Sequence, residues 1–285
     1  MIAQLCRRGV FSMDRNPLLY RLSFLSFSAV LLALPSAAQT TGSAQRAAGQ
    51  PAARQAGAVL VELFTSEGCS SCPPADALLR QIDGHPSPAG QLVVGLSEHV
   101  TYWNGLGWTD PFSTAQSTDR QNMYGRRFAL ESVYTPQMVV NGREQFVGSD
   151  RRSLHDALEA EAKQKQIALH ILSAKVSGKN LEIHYAAAEL PAHGWLELFA
   201  ALADDSDQQS VPRGENSGRE LVHTSVVRAL ATAGKLQATE DATISLPLPP
   251  SFLAEATQNK PRHVVLFAQR SGFGEVVGID TRPLR

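Results

Sequence analysis

The sequence predicts an α/β domain over residues 58–166, followed by an all-β antiparallel sandwich-like domain over residues 167–285. Three observations carry this expectation. Residues 59–64 are an apolar run rich in β-formers, and the apolar residues after it, Ala75, Leu78, Leu79 and Ile82, fall at i, i+3, i+4 and i+7, one face of a helix. Asn141-Gly142 between two further apolar stretches marks a tight hairpin. From Ile167 the texture changes to about seven short strands separated by turn signals.

The elements follow in order. Thr65, Ser66 and Gly68 break the first strand. Pro73 and Pro74 open the first helix, where a missing N–H bonds nothing in any case. Residues 91–97, QLVVGLS, read as a second strand. The loop over 98–112 holds Trp103 and Trp108, two of the chain's three tryptophans. Ser113 or Thr114 caps a polar helix reaching to about Phe128. Residues 138–140 and 144–147 are the third and fourth strands. Ser149 or Asp150 caps a last helix, with Leu154, Ala157, Leu158 and Ala162 on one face. In the second half, 167–176 and 181–187 flank a turn. Residues 195–203, 221–231, 234–236 with 243–248, 263–269 and 276–280 supply the other strands, and 204–219 is expected to be a long polar loop.

The 285 residues are 43% hydrophobic and 19% charged, which suits a packed core and not global disorder. A formal net charge of −1 argues against nucleic acid or an anionic membrane as the main partner.

The N-terminus has the form of an address label. Arg7, Arg8, Arg15 and Arg21 precede an apolar run over 22–34, and Pro35-Ser36-Ala37-Ala38 supplies small residues for cleavage. This pattern predicts a signal peptide over 1–38, with Met1 or Met13 as the start, and a flexible lead-in over 39–57. The apolar run is shorter than the ~20 residues a span needs, so no membrane span is expected after processing. The mature protein would be periplasmic or secreted.

Removing the leader removes Cys6 and leaves Cys69 and Cys72. These two lie where a strand ends and a helix begins. Free N–H groups and the positive end of the helix dipole stabilise a thiolate there. The expectation is a redox pair in which Cys69 is the exposed attacker and Cys72 resolves the mixed disulfide. As a staple the pair would close so small a loop that it contributes about 2 kcal/mol at most.

The order β–α–β–(α)–β–β–α resembles the thioredoxin-like superfamily, and Thr135-Pro136 falls where those folds place a cis-proline. Residues 61–76, VELFTSEGCSSCPPAD, together with 99–112 and TPQMVVNG at 135–142, resemble the secreted family catalogued as domain of unknown function 1223. Thr101 stands where that family is expected to hold an acid. The likeness covers most of the mature chain and implies a thioredoxin-like α/β domain. It implies no settled activity.

On this basis the candidate catalytic residues are Cys69, Cys72 and Glu62, the last as a proton relay on the strand leading to the thiols. Thr135, Pro136, Trp103 and Trp108 are the candidate substrate contacts, with Tyr102 beside them. Glu67 reads as a solvated loop charge. No cofactor is called for. The expected partners are a protein or small thiol/disulfide substrate and a redox partner protein. Two alternatives stay open: a soft-metal site in which Cys69, Cys72 and His99 take Cu(I), and a binding protein with an inert disulfide. Asp204, Asp205 and Asp207 do not have calcium-loop spacing. Gly214-Glu215-Asn216-x-Gly218-Arg219 fits the same family without a derivable mechanism.

Overall fold

The structure, a computed structural model, describes residues 57–255 and 260–284. The expected signal peptide, Cys6 and the lead-in up to residue 56 lie outside the described residues. No helix among the described residues is long and apolar enough to cross a membrane.

Strand β1 (Ala58–Thr65) is buried along its whole length and pairs in parallel with β2 (Leu92–His99). Helix α1 (Pro73–Ile82) makes the crossover between them. After helix α2 (Ala115–Arg127), strand β3 (Gln137–Val140) pairs antiparallel to β1, and β4 (Glu144–Val147) returns beside β3. Asn141 and Gly142 both take positive φ, as a tight hairpin demands. The turn is also anchored, because Asn141 Oδ1 accepts the Leu60 N–H (2.8 Å) and its Nδ2 donates to Glu161 at the end of α3 (Arg151–Glu161). Thr114 caps α2 by accepting the Ser117 N–H, and Asp150 caps α3 by accepting the Arg152 and Ser153 N–H groups.

The second half contributes β5 (Ala168–Ser177), β6 (Asn180–Ala188), β7 (Leu196–Val211), β8 (Arg219–Lys235), β9 (Thr239–Pro247), helix α4 (Pro250–Glu255), β10 (Arg262–Arg270) and β11 (Val276–Leu284). Here the expected architecture fails. A thioredoxin-like α/β domain beside a separate sandwich is not what forms. The molecule is mostly β, and strands from both halves share one mixed eight-stranded sheet in the order β11-β10-β7-β8-β2-β1-β3-β4. The join is β8 against β2, parallel at Ser97↔Val226. A second sheet, β5-β6-β9, has only three strands and packs on the large one through Leu169, Ile183, Leu198, Leu202, Val264 and Leu266.

The cause of the failure is local. Residues 204–211 have loop-like composition, yet β7 runs straight through them. Asp204 and Asp207 are buried because each meets a cation: Asp204 Oδ1 accepts from Arg262 Nε at 2.6 Å, and Asp207 Oδ1 from Lys260 Nζ at 2.7 Å. Paired in this way, buried carboxylates are tolerated inside a strand. The long β7–β8 hairpin that results is what reaches across to β2. Alternation along β1 then divides its side chains. Val59, Val61 and Leu63 face α1 and α3, while Leu60, Glu62 and Phe64 face the opposite side.

Candidate functional site

Cys69 and Cys72 are joined in a disulfide, with Cα atoms 5.4 Å apart. Cys72 is the N-cap of α1, and its carbonyl accepts from the Ala75 and Asp76 N–H groups. The sulfurs therefore sit at the helix mouth, as their spacing predicts. The expected exposure of Cys69 is not found, since both cysteines are fully buried. Ser70 and Ser71 are the exposed residues of the loop, and Ser71 Oγ lies 3.3 Å from Cys69 Sγ. Of the two sulfurs, Cys69 is the one in contact with an exposed side chain of the loop.

A buried group of acids and imidazoles lies beside this loop. Glu67, expected in solvent, is buried. Its Oε2 accepts from Trp108 Nε1 at 2.7 Å, and its Oε1 is 3.3 Å from His223 Nε2. On α1, one turn after Cys72, Asp76 accepts from Thr65 Oγ1 at 2.9 Å and lies 3.9 Å from His223 Nδ1. Burial alone would push His223 down, but hydrogen bonding and charge from Asp76 and Glu67 outweigh it and raise its pKa to about 10. His223 is therefore an imidazolium held between two carboxylates. His99 packs edge-on against it, with ring centroids 4.6 Å apart, and Phe112 covers both rings. His99 Nδ1 is 2.7 Å from Asp110 Oδ2, which also accepts the Glu67 N–H. Burial opposes ionisation of Asp110, but His99 and these hydrogen bonds hold its carboxyl below the usual range.

The other candidates divide. Thr135-Pro136 is a cis peptide. Gly148 lies against both Pro136 and Ala75, which brings the proline to the first turn of α1. Trp103 packs on Gly68 and donates from Nε1 to Thr135 Oγ1 at 2.8 Å, so the loop tryptophan ties the cis-proline segment to the cysteine loop. Trp108 spends its N–H on Glu67. Tyr102 is 40% exposed and Leu106 62%, so these two present the loop's open apolar surface. Glu62 is elsewhere. It points to the face away from α1, where Oε2 accepts from Tyr124 at 2.6 Å and Oε1 from Arg120 Nε at 2.5 Å. The structure therefore does not bring Glu62 to the sulfurs.

Glu98 joins Arg120 from the other side at 3.6 Å. Burial first, and then the charge of Glu62, raise the Glu98 pKa well above its ordinary 4.5, although Arg120 opposes the shift. The folded state thus holds a proton there that the unfolded chain releases above about pH 4.5. The parent should therefore lose stability as pH rises from that point. Glu98→Gln, neutral throughout, should match the parent at pH 4 and gain on it steadily toward pH 7, as urea titrations would measure. Equal stability differences at both pH values would mean that Glu98 is ionised in the fold.

For the soft-metal alternative the thiolates would have to be free and an imidazole would have to converge on them. Both sulfurs are in the disulfide, and His99 Nδ1 is engaged by Asp110. Among the described residues no group of three His, Cys, Asp or Glu is arranged to hold an ion.

Sequence reasoning missed His223 altogether, and it singled out the segment with Glu215 and Asn216 without finding their role. Asn216 Nδ2 donates to the backbone carbonyls of Glu67 (2.8 Å) and Cys69 (2.9 Å), and Glu215 Oε2 accepts the Ser70 N–H at 3.1 Å. The signal for Glu215 and Asn216 was the unexplained segment at 214–219, and His223 had none.

The family model described as a protein of unknown function, DUF1223, matches residues 60–269. A crystal structure of an Agrobacterium tumefaciens protein is similar at 31% identity and TM-score 0.58, covering 78% of this chain and 92% of that one. A DUF3823 family protein from Bacteroides ovatus aligns at 8% identity and TM-score 0.29, over 41% of this chain and 53% of that one. No curated protein matches.

Proposed function

The chain belongs to this family of proteins of unknown function, and we propose that it is an exported thiol–disulfide oxidoreductase acting through Cys69 and Cys72. The observation that carries the proposal is the Cys69–Cys72 bond at the mouth of α1, bordered by buried acid–imidazole pairs from three separate stretches of chain. A staple closing so short a loop contributes little to stability. A buried imidazolium with two carboxylates costs desolvation, and such costs concentrate where protons are handled.

In the reduced protein the Cys69 thiolate attacks one sulfur of a substrate disulfide. The S–S bond breaks, and the other substrate sulfur leaves as a thiolate and takes a proton. Cys72 then loses its proton and attacks the Cys69 sulfur, releasing the second substrate thiolate. Two electrons pass to the substrate, and the Cys69–Cys72 bond is restored. The reverse sequence oxidises a dithiol. The substrate is a protein or small thiol/disulfide, and a second redox protein resets the pair. Trp103, which packs on Gly68 and binds Thr135 beside the cis-proline, is the candidate wall for that substrate.

The test is equilibration of the mature protein in glutathione buffers, with thiols counted after quenching. A catalytic pair should balance between roughly −270 and −120 mV, and Cys69→Ser should abolish turnover of a model disulfide. A potential below about −300 mV, with no turnover by the parent, marks an inert structural bond and ends this proposal.

A further inference from the structure

The sulfurs are fully buried, yet a pair that exchanges with substrates must be reached. Part of what holds the loop comes from the other half of the chain. Between β7 and β8 the chain turns through 212–218, where Gly214 and Gly218 take positive φ. Gly214 packs on Gly107 and Trp108, which seats the turn on the tryptophan loop. Asn216 is fully buried, and Arg219 Nη1 orients its amide by donating to Oδ1 at 3.1 Å. The amide nitrogen then bridges the Glu67 and Cys69 carbonyls, pinning the backbone on the N-terminal side of the disulfide. Glu215 pins the next residue through the Ser70 N–H. This segment thus binds the loop at three places, Glu67, Cys69 and Ser70, through backbone groups and not through a reacting atom.

We propose that Asn216 and Glu215 are the positioning residues of the Cys69–Cys72 site, with Asn216 fixing the loop so that the sulfurs stay buried and Glu215 setting the charge beside Cys69. The two act differently. Asn216 is neutral and works through geometry. Glu215 is exposed and ionised, its carboxyl held below the usual range by Ser70. A fixed negative charge next to Cys69 opposes formation of a thiolate there, against the pull of the helix dipole. The site is therefore restrained twice, by cover and by charge. Displacing this turn would release both restraints together. The inference rests on the oxidoreductase proposal for its purpose, but not for its test.

The experiment uses the full mature chain and dithiothreitol as the reductant. Second-order rates of Cys69–Cys72 reduction are measured at pH 7, and the Cys69 thiol pKa is measured by the pH dependence of iodoacetamide alkylation of the reduced protein. Asn216→Ala should speed reduction at least tenfold. Ile183→Val, in the three-stranded sheet, is the control for general loosening and should leave the rate within twofold. Glu215→Gln keeps an oxygen to accept the Ser70 N–H and removes the charge. It should lower the Cys69 pKa and speed reduction, but by less than Glu215→Ala does, because the loop stays pinned. Glu215→Ala, at an exposed position, should both speed reduction severalfold and lower that pKa. Parent-like rates and parent-like pKa in folded Glu215→Ala and Asn216→Ala overturn the inference. So does acceleration in Ile183→Val equal to that in Asn216→Ala. None of these outcomes depends on the potential or on turnover, whose failure would count against the oxidoreductase proposal alone.

Discussion

Replacing Arg120 with methionine should cost the folded chain about 3–5 kcal/mol, the penalty for leaving a buried charge without its partner. The guanidinium is enclosed. Rings of Tyr124, Phe199, Phe267 and Phe273 lie 5.1–5.3 Å from it. Its Nη2 donates to Tyr124 Oη at 3.0 Å, and the Tyr124 hydroxyl donates in turn to Glu62. Gln269 joins the tyrosine from β10, so the network binds α2 to strands of both halves. Methionine fills much of the volume and leaves the buried Glu62 carboxyl without its cation. Arg120→Lys keeps the charge without the planar fork and should recover only part of the loss. Adding Glu62→Gln to Arg120→Met should restore more stability than Arg120→Lys does, because the stranded charge is then gone. Urea unfolding at pH 7 measures all of this. A loss under ~1 kcal/mol for Arg120→Met would show that the Arg120–Glu62 pair does not stabilise the fold.

Replacing His223 with leucine should cost a similar ~3–5 kcal/mol at pH 6, since Glu67 and Asp76 then face each other without a cation. This effect also carries a pH signature. His223 titrates near 10 in the fold and near the ordinary imidazole value of about 6.5 when unfolded. Between these values the native state holds a proton that the unfolded chain has released. Stability from this group is therefore complete below about pH 6.5 and declines as pH rises toward 10. The neutral variants His223→Leu and His223→Gln should both flatten that decline, and the gap from the parent should narrow with rising pH. The groups facing His223 are Glu67 from the loop, Asp76 from α1 and His99 from β2, with Arg228 over the neighbouring Phe112. A parent curve flat from pH 6.5 to 9 would show His223 to be neutral.

Residues whose effect is local were legible from the sequence. The proline pair opening α1, the Thr114 and Asp150 caps and the Asn141-Gly142 turn all act within a few positions of themselves, and each is found where its chemistry puts it. What escaped were residues whose meaning depends on a distant partner. Asp204 has the composition of a loop residue until Arg262, 58 positions away, neutralises it inside the sheet. Glu67 reads as a surface charge until His223, 156 positions away, closes on it. Glu62 was assigned to the sulfurs because sequence proximity says nothing about which face of a strand a side chain takes. On β1, buried on both sides, no polar alternation was available to decide it. The fold expectation failed for the same reason, since nothing local announces that β8 lies beside β2.

That parallel pairing has a practical result for anyone dissecting the molecule. Cutting after residue 166 would strip β2 of its neighbour and leave an open row of peptide groups facing water, an invitation to self-association. The severed piece would keep both sulfurs and lose Asn216, Glu215 and His223 together. The halves cannot be swapped between relatives like cassettes, and grafts or fusions should keep the β7–β8 hairpin with its own cysteine loop.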